Sequence, residues 1–241
     1  FERCRQLKEI LIPSDSKLQT IGKNALHSTK IKRITIPSSV ISIGENAFSS
    51  CNQLEEIIIS SDSKLQVIGQ YALLSTKIKS ITIPSELIEF KENWCFGTPE
   101  LTKIIVHPTN PRYCFFDEKM IIGKSNIEQD NYDCLILCVR NIEHIQIPNF
   151  IKHICSCSFE RCRQLKEILI PSDSKLETID GNAFSSSAIK RITIPPSVAS
   201  IGENAFLSCT KLEEIIIPSD SKLQTIESEA FGSSAINHII V

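Results

Sequence analysis

Residues 31–51 read IKRITIPSSVISIGENAFSSC. Ile34 and Ile36 stand two apart with Thr35 between them, a β-branched run of period two. That pattern predicts a short strand with one inward face. Pro37 follows at once and, having no N–H to donate, ends the strand. Further on, Ile43, Ala47 and Phe48 stand at i, i+4 and i+5, which predicts one helical or 3-10 turn on the opposite wall.

The same stretch recurs through the chain. Its paired apolar residues are Ile10/Ile12, Ile34/Ile36, Ile57/Ile59, Ile81/Ile83, Ile104/Val106, Ile145/Ile147, Ile168/Ile170, Ile192/Ile194, Ile215/Ile217 and Ile239/Val241. Successive pairs are 23 or 24 residues apart, except for one step of 41 between Ile104 and Ile145. A larger copy overlies this period: residues 1–37 match residues 159–195 at 30 of 37 positions. One coil buries too few side chains to offset the entropy of ordering it, so coils are stable only when stacked. The expected architecture is an α/β repeat: a solenoid of about ten coils over residues 1–241, with parallel short strands on one wall and helical or 3-10 turns on the other. The long step predicts an irregular β-hairpin insertion at 107–144.

A unit of the form [LI]-x-x-I-x-I-P-x-x-V-x-x-I-G-x-x-A-F-x-x-C, cleanest at 31–51 and 189–209, resembles the BspA-like class of leucine-rich repeats. The likeness covers essentially the whole chain. It extends to the insertion, where Asn110, Pro111, Tyr113, Asp117 and Met120 fit the class's interrupting segment and Glu118 replaces its glycine after Asp117. The resemblance implies a surface-exposed protein of the kind found in anaerobic bacteria and parasitic protists, with roles in adhesion, matrix-protein binding and aggregation.

Composition narrows the alternatives. Of 241 residues, 41% are apolar and only 6% aromatic, and 26 basic side chains face 28 acidic ones for a net charge of −2. That balance gives no footing for nucleic acid. No apolar run reaches the ~18–20 residues that would insert in a bilayer. Both ends look cut, since Phe1 aligns with mid-coil Phe159, and frayed or partner-paired terminal coils are expected.

Catalytic and metal chemistry finds no constellation. Cys4, Cys51, Cys162 and Cys209 each precede a repeat leucine by three residues. Within each pair they are two coils, hence about 10 Å, apart, beyond the ~7 Å reach of a disulfide; buried packing is the expected role. Cys95 takes the slot of Phe48 and packs likewise. Cys155, Cys157 and Cys162 lack a fourth zinc ligand, and Cys155 and Cys157 align with the surface-leaning Gly44 and Asn46. A bridge from Cys114 to Cys134 or Cys138 stays open, conditional on an oxidising compartment. His27, His107, His144, His153 and His238 have no catalytic neighbours. Asp15, Asp62, Asp173 and Asp220 each sit in S-D-S-K, which predicts Asx-type turns. No cofactor, metal or enzymatic function is expected.

Function in a stacked repeat sits where equivalent outward positions align. Between the inward isoleucines these include Leu11, Thr35, Ile58, Thr82, Ile105, Gln146, Leu169, Thr193, Ile216 and Ile240; two residues earlier come Glu9, Arg33, Glu56, Ser80, Lys103, His144, Glu167, Arg191, Glu214 and His238. The candidate partner-binding set is Ile58, Thr82, Ile105 and Gln146, with Lys103 and His144 beside the insertion, where the repetition breaks. The expected partner is a protein: a host matrix or cell-surface protein, or a second copy. The leading expectation is a non-catalytic cell-surface or secreted recognition module. An intracellular interaction scaffold is the alternative, and carbohydrate binding is disfavoured by a single tryptophan, Trp94.

Overall fold

The computed structural model describes residues 1–60 and 62–240; Val241, the partner of Ile239 in the last pair, lies outside them. The chain divides into two compact units, Phe1–Phe115 and Phe116–Val241. Each carries five of the ten isoleucine pairs.

In the first unit two parallel four-stranded sheets line the coils. One holds Arg33–Ile36, Glu56–Ile59, Ser80–Ile83 and Lys103–Val106; the other holds Thr20–Ile21, Ser42–Ile43, Val67–Ile68 and Glu89–Phe90. The register stacks like on like: Ile34 pairs with Ile57, Ile36 with Ile59, Ile81 with Ile104. Ile34, Ile57, Ile81 and Ile104 are all buried, because a one-residue slip would turn the whole apolar set outward. Phe90 stacks on the buried Trp94 at 4.3 Å between ring centroids.

In the second unit the hairpin Met120–Gly123/Cys134–Cys138 is antiparallel with a bulge at Ile121/Ile122, and Cys134–Cys138 then pairs in parallel with His153–Ile154. Four phenylalanines form a column, Phe159, Phe184, Phe206 and Phe231, with centroids 4.7, 5.0 and 5.1 Å apart. Before the hairpin, Asp117 and Glu118 both have positive φ (51° and 52°), and Lys119 N–H donates to Phe116 C=O at 3.1 Å. This is a type I′ turn, formed despite the missing glycine.

The helical or 3-10 wall is not there; the described residues contain no helix. Asn46 and Ser50 sit in the left-handed region, at φ 54° and 60°, which breaks helical continuation. Alternate N–H groups leave the coil altogether. Asn46, Phe48 and Ser50 donate to Gln70, Ala72 and Leu74 of the next coil at 2.7–2.9 Å, while Ala47, Ser49 and Cys51 close local turns onto Gly44, Asn46 and Phe48. The wall is therefore a ladder of stacked turns, and its backbone is satisfied between coils. The Asx turns are also corrected. In S-D-S-K the second serine closes the turn, accepting from the N–H two residues on: Ser16 from Leu18, Ser63 from Leu65, Ser174 from Leu176 and Ser221 from Leu223, each at 3.2 Å.

One ladder is interrupted. His144–Gln146 pairs with Glu167–Leu169, and Arg191–Thr193 pairs with Glu214–Ile216 and so with His238–Ile240. Glu167–Leu169 and Arg191–Thr193 lie in separate sheets.

Candidate functional site

The outward strand residues separate by unit. In the first, Ile58 and Ile105 are 40% and 46% exposed, Thr82 between them is half-buried, and Lys103 is exposed, with no ion pair among the described residues. Strand pairing places Thr35 beside Ile58 and Thr82 beside Ile105. Ion pairs cross the coils next to this row. Arg33 Nη2 lies 3.0 Å from Glu56 Oε2, and Lys79 Nζ lies 2.7 Å from Glu55 Oε2. The hydrogen bond and the charge of Lys79 lower the Glu55 pKa, and Glu55 raises that of Lys79 in the same way. Glu55 and Glu56 are thus ion-paired beside Ile58, while Lys32 and Lys103 on the same wall are exposed and have no ion pair among the described residues.

In the second unit, Gln146 and His144 are exposed on the strand paired with Glu167–Leu169. His144 Nδ1 lies 3.4 Å from Glu167 Oε2, and Lys166 Nζ lies 2.6 Å from Glu143 Oε2, which lowers the Glu143 pKa through that hydrogen bond. The six candidates thus fall four in one unit and two in the other.

The thiols sit differently from expectation at two places. Cys51, Cys162 and Cys209 are fully buried, but Cys4 is exposed. Cys157 is buried rather than surface-leaning, although it shares the positive φ of the partly exposed Asn46 at the same step. Among the described residues no disulfide joins any cysteine, Cys114, Cys134 and Cys138 included. Among the described residues no group of three or more His, Cys, Asp or Glu side chains is placed to hold a metal ion, and no helix is long and apolar enough to cross a membrane.

Sequence reasoning missed Ile168 and Ile170. Both were expected inside and both are only partly buried, at the interrupted ladder. The available signal was the outward residue: Leu11 and Leu169 are the only leucines in a row otherwise dominated by β-branched side chains. Leucine favours strand less than isoleucine or threonine does. Glu9–Pro13, which repeats the sequence of Glu167–Pro171, likewise forms no strand beside Arg33–Ile36.

The stacked-turn architecture has known relatives. A family profile described as "BspA type Leucine rich repeat region" matches in six copies over residues 1–120 and 131–241. The chain belongs to the BspA-type leucine-rich repeat family. No curated protein matches it. Among solved structures, a leucine rich cell surface protein from Faecalibacterium prausnitzii is similar at a TM-score of 0.70 and 22% identity, over 100% of this chain and 74% of that one. The pneumococcal vaccine antigen PcpA is similar at 0.74 and 22%, over 97% of this chain and 62% of its own. A leucine-rich repeat protein from Bacteroides ovatus gives 0.64 and 25%, over 99% and 56%. The BspA-type chain thus spans between about half and three-quarters of these proteins.

Proposed function

We propose that this BspA-type repeat chain is a non-catalytic recognition module of a cell-surface protein, adhering to a host or matrix protein, or to another cell, through its outward strand positions. The observation that carries the reading is the exposed pair Ile58 and Ile105, aligned on one wall with Thr82 between them and the exposed Lys103 beside Ile105. Exposed apolar side chains in a row, rimmed by polar ones, are the mark of a protein contact. Gln146 and His144 hold the corresponding positions in the second unit and complete the proposed set. The similar Faecalibacterium prausnitzii protein is a leucine rich cell surface protein, which supports the location.

The test is binding of the chain to a panel of immobilised matrix proteins, with wild type compared with Ile58→Lys plus Ile105→Lys. Both side chains are exposed, so the fold is retained. The double variant is expected to bind at least about tenfold more weakly. Equal binding with an unchanged circular dichroism spectrum and melting curve removes the isoleucine row from the account. Binding confined to a glycan array would replace protein recognition by carbohydrate recognition.

A further inference from the structure

The interrupted ladder in the second unit is built like a strand with its neighbour taken out. The Cα atoms of Glu167–Leu169 and Arg191–Thr193 stand for the most part more than 8 Å apart, against about 4.8 Å between paired strands. The cleft between them has a volume of about 610 Å³ and is floored by Ile168, Ile170 and Ile192. The backbone groups of Ile168 and Ile170 on one side, and of Arg191 and Thr193 on the other, bond to nothing across the step. One step further along, the equivalent groups are used, and Ile194 N–H donates to Ile216 C=O at 2.9 Å. Open strand edges above an apolar floor are what an added strand satisfies.

Charge selects the occupant. Among the described residues Lys190 and Arg191 on the rim have no ion pair, although Glu214 stands in register with Arg191. The equivalent Arg33 of the first unit is held by Glu56 at 3.0 Å. Glu167, the acidic residue of the rim, already faces His144. Among the described residues the cleft therefore offers two cations without an ion pair, Lys190 and Arg191.

We infer that this cleft binds an extended segment of a partner protein in which apolar and acidic residues alternate, the apolar ones packing on Ile168 and Ile192 and a carboxylate meeting Lys190 and Arg191. An inserted strand bonds to both open edges and makes the sheet continuous. The inference deepens the protein-recognition reading and rests on it in kind, but it uses different residues from the isoleucine row.

The probe is a fluorescein-labelled acetyl-EVEVE-amide peptide, titrated against the whole chain and followed by anisotropy, with acetyl-KVKVK-amide as the control. Saturable binding of the acidic peptide is expected, weakened about tenfold or more by Lys190→Glu plus Arg191→Glu and unchanged in the Ile58→Lys, Ile105→Lys variant. Amide exchange gives a readout independent of the variants. In the free chain the Thr193 amide exchanges fast and the Ile216 amide slowly, and the acidic peptide slows Thr193. Three results overturn the inference: no binding of the acidic peptide, equal binding of both peptides, or a Thr193 amide as protected as Ile216 before any peptide is added. Concentration-dependent dimerisation that protects Thr193 would also overturn it, by making a second copy the occupant. Failure here with a sensitive isoleucine row leaves the proposed function standing; the reverse pattern moves recognition to the cleft.

Discussion

A β-carbon built on Gly44 would stand 2.8 Å from the carbonyl carbon of Gly22, one coil away. It would stand equally close to the backbone nitrogen of Lys23. These are backbone atoms held by the Gly44 N–H to Ile21 C=O bond at 2.7 Å, so no side-chain rotation relieves the contact. Gly22 itself meets nothing within 4 Å. The two glycines occupy the same step of successive coils, and the close approach is that of Gly44 to the coil before it.

Opposite signs follow for the same substitution. Gly44→Ala should destabilise the chain by about 1–3 kcal/mol through overpacking. Gly22→Ala should be neutral or stabilise it by up to about 1 kcal/mol by restricting the unfolded chain. Urea denaturation of both variants beside wild type checks this, and equal midpoints would contradict close stacking at this step.

The phenylalanine column makes a second prediction. Phe184 is fully buried between Phe159 and Phe206, so Phe184→Ala leaves a cavity with stacking lost on two sides and should cost about 3–5 kcal/mol. Phe231 ends the column and is only partly buried. Phe231→Ala should cost clearly less in the same denaturation series.

Glu118 stands at a positive φ that a glycine adopts freely. Glu118→Gly should therefore stabilise the type I′ turn by roughly 1 kcal/mol, raising the melting temperature. A lower melting temperature would show that the Glu118 side chain contributes more than its backbone strain costs.

Asp133 gives the pH dependence. Burial alone would raise its pKa, but hydrogen bonds from Ser125 Oγ (2.6 Å) and Ser125 N–H (2.8 Å), with help from Cys134, bring it below the ordinary aspartate value of about 3.8. A lowered folded-state value means that the stabilisation is complete above pH 3.8 and is lost as the pH falls through the folded-state value. Asp133→Asn should flatten that acid limb of the melting temperature and lower the plateau above it. An unchanged acid limb would place the effect in other carboxylates.

How much of this was legible in the sequence depends on which partner a residue needs. The strand wall was legible because Ile34, Ile57 and Ile81 declare their inward face by alternation alone. The turn wall was misread because Ala47 and Phe48 carry helical spacing, while the decision rests on Asn46 and Ser50, whose left-handed backbones send alternate N–H groups to the next coil. Asparagine before Ala-Phe, repeated at Asn182 and Asn204 with the same positive φ, was the available clue. The interrupted ladder was illegible by periodicity, since Ile168 and Ile170 fit the repeat. Its one trace in the sequence is the outward Leu169, where most coils carry a β-branched residue. The candidate row at Ile58 and Ile105 was visible as outward positions, but its distinction from ion-paired neighbours needed the geometry of Glu55, Glu56 and Lys79.

The central claim, that the strand wall meets another protein, is tested most directly by site-specific photo-crosslinking. A benzophenone side chain placed at position 58 or 105, and in a control at Gln70 on the turn wall, is irradiated with the chain bound to a matrix protein that it captures. The account predicts crosslinks from 58 and 105 and none from 70. Crosslinks from 70 alone would contradict it.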